Sequence, residues 1–425
     1  MADLGPDAND EREARNLRPR LGLLRGTTLV AIALAGAQVA AYLVNIVSAR
    51  ALGPDQFGIL SAMLGLILIG NVVALALQAV IARLIVHDRS GAPSTAGKGL
   101  RFAAIAGLAV MGAAVILMPF LGWFLQLNGL WPLVWVAVTL VPLTIIGAEL
   151  GIAQGSEAFS RLAGIYLAVG LGRGIGGVAG ALVGQSATAV LIGIACGTLV
   201  GAGVGRVSIA PLIGNVSGRL LELLRPVGHA THALLALFLL TNIDVVYARA
   251  ILTPQQAGDY GVGAILAKIA FWLPQFVGII AFPRFVDARR QQAVTLTLAS
   301  VAGIGAVVVV ATAVAPNQVV AAVGGSQYES LASIAWIFAL IGALMAVAQA
   351  LLLTRIAVDD RRAVIAIWVA LATLTGLAFW VVPANVAGLA VAVVLAASLL
   401  CVAGLIYAVV ERRQGMAPLN NGPTI

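Results

Sequence analysis

Charge is scarce in this sequence. Only 10% of its 425 residues are Asp, Glu, Lys or Arg, against about a quarter in soluble domains. A soluble fold with so little charge would have too few polar groups to cover its surface. There are only two cysteines, Cys196 and Cys401, and both fall inside apolar runs. They read as buried packing residues, which excludes a disulfide scaffold. The three histidines, His87, His229 and His232, show no metal-ligand spacing. No metal or cofactor site is expected.

Apolar residues fill the space that charge leaves. Hydrophobic residues make up 61% of the chain and the mean hydropathy is +1.04. Apolar runs of 20 or more residues exclude a transmembrane barrel, whose strands are about 10 residues long and alternate in polarity. The chain reads as an all-α polytopic membrane protein. A spanning helix needs about 20 apolar residues. Breaks at charge, Gly, Pro and Asn predict twelve spans, near 27–51, 57–86, 99–121, 132–153, 161–184, 187–209, 228–251, 257–282, 293–315, 330–355, 363–383 and 386–410. The longest polar connection, 211–226, divides them into an N-lobe (27–210) and a C-lobe (227–410). Polar tails at 1–26 and 411–425 flank them.

Placement of cations gives an orientation. All but four of the 25 Lys and Arg residues fall on the N-terminal side of the predicted membrane. The loops near 122–131, 185–187, 316–329 and 384–386 hold none. The positive-inside rule puts both termini in the cytoplasm. The same bias explains a pI near 10.2 without nucleic acid, since a basic inner rim suits anionic lipid head groups.

The sequence repeats itself. Ala49-Arg50-Ala51 recurs as Ala248-Arg249-Ala250, and Leu52, Pro54, Gln56 and Gly58 recur as Leu252, Pro254, Gln256 and Gly258. Arg83 matches Arg284. Six helices are an even number, so two such repeats enter from the same side. This predicts two pseudo-symmetric six-helix lobes with substrate handled between them.

The segment from Asn45 to Leu60, NIVSARALGPDQFGIL, resembles the first-loop signature of bacterial polysaccharide-export flippases. Tyr260 after Gly258 and the pair Pro283-Arg284 are similar to the same family. That family belongs to the superfamily of multidrug exporters and peptidoglycan-precursor flippases. The resemblance implies a multidrug-exporter-like fold and a lipid-linked glycan substrate moved from the inner to the outer leaflet. It also implies glycan-assembly proteins as partners.

The four cations outside the inner rim are Arg50, Arg173, Arg249 and Lys268. Arg173 and Lys268 fall about 16–18 Å from their helix ends. Even a lenient scale charges about 2.5–3.5 kcal/mol for a cation at that depth. Such groups face a cavity or a partner, so all four are candidate ligands for substrate phosphate. Arg50 and Arg249, at helix ends, equally suit snorkelling. Arg173 lies in a formal G-x-G-x-x-G at Gly172, Gly174 and Gly177, but no strand precedes it, which removes the dinucleotide reading. Gly172, Gly176, Gly180 and Gly184 read instead as a small-residue packing stripe.

Asp244 is read as the one carboxylate deep in a span. Three roles for it stay open: counter-ion to Arg249 or Lys268, coupling site for a proton or sodium ion, or cap of a helix irregularity. Asn45, Asn71, Gln78 and Gln275 form polar stripes that suit either helix–helix bonding or a sugar-binding wall. Pro274 is expected to kink its helix. A cation-coupled drug exporter of the same fold is the competing function. A glycan polymerase or ligase would want a large acidic or basic outer loop, and no outer stretch here provides one. No catalytic constellation is present and no enzyme is expected.

Overall fold

The computed structural model describes the backbone of residues 7–215, 219–281, 290–356 and 361–414. Side chains are described for 26–215, 219–232, 234–274, 298–351 and 364–406. Among the described residues every regular element is helical. Lipid cannot hydrogen-bond an exposed backbone, so apolar runs of this length satisfy their own N–H and C=O groups as helices.

The order is α1 (Asp7–Leu52), α2 (Pro54–Gly70), α3 (Val72–His87), α4 (Ala92–Phe124), α5 (Trp131–Gly155), α6 (Phe159–Ala179), α7 (Ala187–Ile209), α8 (Leu224–Ile251), α9 (Pro254–Ala281), α10 (Arg290–Val314), α11 (Pro316–Val323), α12 (Ala335–Ile356), α13 (Arg361–Gly376) and α14 (Val386–Gln414). Ten helices among the described residues are long and apolar enough to cross a bilayer. A bent pair, Leu298–Val314 with Pro316–Val323, turns through 100° and makes an eleventh. The remaining long helix, α9, carries Gln255, Gln256, Asp259 and Lys268 in the part whose side chains are described, 254–274. Among the described residues each expected span falls on helical chain, the second on two helices rather than one.

Two details differ from the expected pattern. The second span is two helices, α2 and α3, joined at Gly70–Asn71 within one run, Pro54–His87. The stretch after α10 is no plain loop: it holds α11 and a 3₁₀ segment, Ser326–Ile334. Pro316 at the first position of α11 starts a new helix after the turn. Two helices of matching order end alike, α6 in a π turn at Gly180–Gly184 and α13 in one at Leu377–Val381.

The chain forms two compact units. The first comprises 1–47, 70–119 and 130–231, and the second 48–69, 120–129 and 232–425. Two of the five crossings fall beside the Gly70–Asn71 junction and beside Pro119, which removes a backbone bond within α4.

Small residues hold the first unit together. Gly147, Gly151 and Gly155 of α5 rest directly on the backbone of Ala74, Gln78 and Ala82 of α3. The expected glycine stripe of α6 lies against α7, with Gly172 on Gly197, Gly176 on Gly193 and Gly180 on Ala189. No Cβ fits at these crossings, so the helices approach more closely than larger side chains would allow. In the second unit α12 is central, packing against α9, α10 and α14. Phe338 of α12 meets Tyr260 of α9 edge-to-face at 5.1 Å and lies over Gly263.

Candidate functional site

The two copies of the repeated segment meet in the second unit. Gly53, at φ 74°, makes the turn into α2, a conformation that L residues rarely adopt. Gly58 then packs on Ala257 and Gly258, and Gly258 packs on the carbonyl of Pro54. A side chain at either glycine would separate the segments.

The repeated arginines bond reciprocally. Arg249, only 5% exposed, donates through Nε to the Leu125 carbonyl at 3.2 Å and through Nη2 to the Gln126 carbonyl at 3.4 Å. Its Nη1 stands 2.8 Å from Asp55 Oδ1. Arg50, the matched residue, donates to the carbonyls of Ala321 and Ala322. Each arginine thus holds two successive carbonyls from the opposite half of the sequence. The amides repeat the pattern: Gln126 donates to the Ala250 carbonyl at 2.8 Å, and Gln327 to the Ala49 carbonyl at 2.6 Å. Tyr328 adds a second donor to Ala49 at 3.2 Å. Bonds from a charged donor contribute about 1.5–3 kcal/mol each. Asp55 is half exposed, so its ion pair adds little beyond about 1 kcal/mol.

A second cluster lies on α8 and α9. Tyr260 donates its hydroxyl to Asp244 Oδ2 at 3.1 Å. Lys268 lies within electrostatic reach of Asp244. No direct ion pair joins them among the described residues. Both side chains are partly buried. Tyr247, one turn beyond Asp244, bonds Thr375 at 2.9 Å. The structure therefore brings Asp244 and Lys268 together and places Arg249 in the separate clasp with Asp55.

Arg173 belongs to the first unit. On α6 it sits between the face against α1, marked by Gly170, Gly174 and Gly177, and the glycine stripe against α7. Exposed Leu171 and Ile175 occupy the opposite side. Arg173 is partly buried and has no hydrogen-bond or ion-pair partner among the described residues. Gln78 bridges helices, donating to Gln154 at 2.9 Å and Tyr166 at 3.0 Å. Asn45 donates to Ala41 of its own helix at 2.9 Å. Asn71 stands at the α2–α3 junction without a side-chain cap. The side chain of Gln275, like the pair Pro283-Arg284, lies outside the described residues.

Comparison with known proteins places this architecture. Residues 47–333 match the model of the family described as polysaccharide biosynthesis protein. The chain belongs to that family. No curated protein matches it. Among solved structures it is similar to the lipid II flippase MurJ in an inward closed conformation, with TM-score 0.72 and 11% identity over 90% of this chain and 87% of that one. An inward-facing multidrug resistance MATE family transporter of the MOP superfamily matches with TM-score 0.66 and 11% identity, covering 89% and 96%. A MOP superfamily transporter from Pyrococcus furiosus matches with TM-score 0.57 and 12% identity, covering 91% and 95%. The fold is the multidrug-exporter-like one that the sequence implied.

One residue of this polysaccharide-biosynthesis family member escapes the sequence reading. Asp244 is not the only carboxylate inside a span: Glu149 of α5 is wholly buried, and neither of its oxygens has a hydrogen-bond partner among the described residues. Its carboxyl group rests on Gly205 of α7. The polar clasp partners at 125–126 and 321–322 were equally hidden, because they are backbone carbonyls.

Proposed function

We propose that the protein moves a lipid-linked oligosaccharide or polysaccharide precursor from the inner to the outer leaflet by alternating access. Its lobes in this reading are residues 27–210 and 227–410, joined by 211–226, with both termini in the cytoplasm of a cell-membrane protein. The reciprocal clasp carries the reading. Segments 48–58 and 125–126, from the first half of the sequence, are held by 249–258 and 321–328 from the second. Bonds of moderate strength between repeat-related helix ends make a gate at the outer ends of the helices, closed here and able to open. Lys268 and Arg173 are the cations available to a substrate phosphate, and Asp244 is the charge balanced against Lys268. Anionic lipids line the inner rim and glycan-assembly proteins deliver the substrate.

The test is to lock the gate. In a background with Cys196→Ala and Cys401→Ala, the pair Asp55→Cys and Arg249→Cys is oxidised in cells. Glycan export stops on oxidation and resumes on reduction if the clasp must open. Export unaffected by a formed cross-link overturns the reading. A cation-coupled drug exporter, which Asp244 would also suit, would instead lose dye efflux with glycan export unchanged.

A further inference from the structure

We infer that Glu149 is a proton-binding site built into the α5–α7 contact of the first unit. The carboxyl group is 0% exposed and both its oxygens lack hydrogen-bond partners among the described residues. Gly205 on α7 leaves the space it occupies, since a Cβ at 205 would overlap Oε2. An ionised carboxylate with no donor in such a place is far more costly to bury than a neutral acid. This packing therefore holds the protonated form.

The surroundings favour a proton over a metal ion. No group of three or more His, Cys, Asp or Glu residues capable of holding a metal occurs among the described residues. The main packing against α5 comes from α3, α6 and α7, and α4, which carries Lys98 and Arg101, touches it where Gly107 meets Val141 and Thr144. From α7, exposed Arg206 is the charged group whose field reaches Glu149. The titratable or charged residues of α3 are Arg83 and His87, and those of α6 are Arg161, Tyr166 and Arg173. None of them bonds the carboxyl group.

Release follows from this arrangement. When water reaches the carboxyl group from the helix end, about 9 Å along α5, the O–H bond breaks, the electron pair stays on the carboxylate and that water takes the proton. The new carboxylate then has no donor where it stands, while Arg206 lies one residue beyond Gly205. Charge attraction draws the two together, which shifts α5 against α7. Protonation of Glu149 thus selects between two packings of one helix pair. The inference goes beyond the flippase reading and uses no substrate.

Infrared difference spectroscopy on the full-length protein in lipid vesicles tests the protonation. The wild type is expected to show a buried carboxylic-acid C=O stretch near neutral pH that disappears on alkaline titration and is absent from Glu149→Gln. Lack of that band in the wild type overturns the proposal without needing any variant to fold. A second readout follows the packing. Spin labels at Ser156 and Val207 should report a pH-dependent change in separation that Glu149→Gln abolishes. An unchanged pH response in Glu149→Gln, or none in the wild type, overturns the coupling of charge to packing.

Discussion

Arg50 and Arg249, matched residues of the internal repeat, each hold two successive carbonyls contributed by the other half of the sequence: Ala321 and Ala322 for one, Leu125 and Gln126 for the other. The acceptors are repeat-related as well, each pair belonging to the helical stretch or turn that follows its half's third span. A bond pattern that obeys the repeat on both donor and acceptor sides is hard to produce by incidental packing. It makes the clasp symmetric in design but unequal in strength, because Arg249 is buried with an acidic partner and Arg50 is exposed.

That inequality gives the first prediction. Arg249→Gln should weaken the closed gate more than Arg50→Gln, since it deletes a buried charge and its bonds to two carbonyls and Asp55. A loss of about 1.5–3 kcal/mol from the closed state is expected for Arg249→Gln. Cysteine accessibility at Gln327, measured from outside, should rise clearly for Arg249→Gln and slightly for Arg50→Gln. Equal effects would contradict the unequal clasp.

Helix contact in the first unit gives the second. Gly176 rests on the Gly193 backbone, and no side chain fits there. Gly176→Val should force α6 from α7 and lower both thermal stability and membrane accumulation, by about 1–3 kcal/mol for an overpacked contact. Gly164, with open space around it, is the control: Gly164→Ala should be tolerated.

Topology gives the third. In the cysteine-free background, Ser326→Cys should react with an impermeant maleimide on intact cells, and Ser94→Cys only after permeabilisation. Labelling of Ser94→Cys from outside would reverse the orientation.

The fold was legible because it depends on one quantity, the length of apolar runs, and cations marked the inner boundaries while Gly, Pro and Asn marked the outer ones. The repeat was legible because Arg, Pro and Gly carry it through otherwise interchangeable apolar helices. Sequence located Arg50 and Arg249 but not their partners: backbone carbonyls at 125–126 and 321–322 have no residue signature. Glu149 was hidden differently. It stands one and a half turns from the end of α5, where an acid reads as interfacial. Its isolation appears only when Gly205, distant in sequence, is packed on it. Gln78 could be recognised as polar within a helix, but not as the bridge to Gln154 and Tyr166.

The central claim is movement of a phosphate-bearing glycolipid that depends on charge in the second unit. The most direct measurement is translocation of a fluorescent polyprenyl-pyrophosphate-linked oligosaccharide in vesicles carrying the purified protein, read by an impermeant quencher. Wild-type vesicles should expose the inner-leaflet label over time, and empty vesicles should not. Lys268→Gln should slow exposure tenfold or more at equal reconstitution, as loss of a charge-assisted bond of about 1.5–3 kcal/mol requires, while Arg101→Gln, an exposed cation of α4, should match the wild type. Exposure no faster with the wild-type protein than in empty vesicles, or unchanged by Lys268→Gln, would contradict the account.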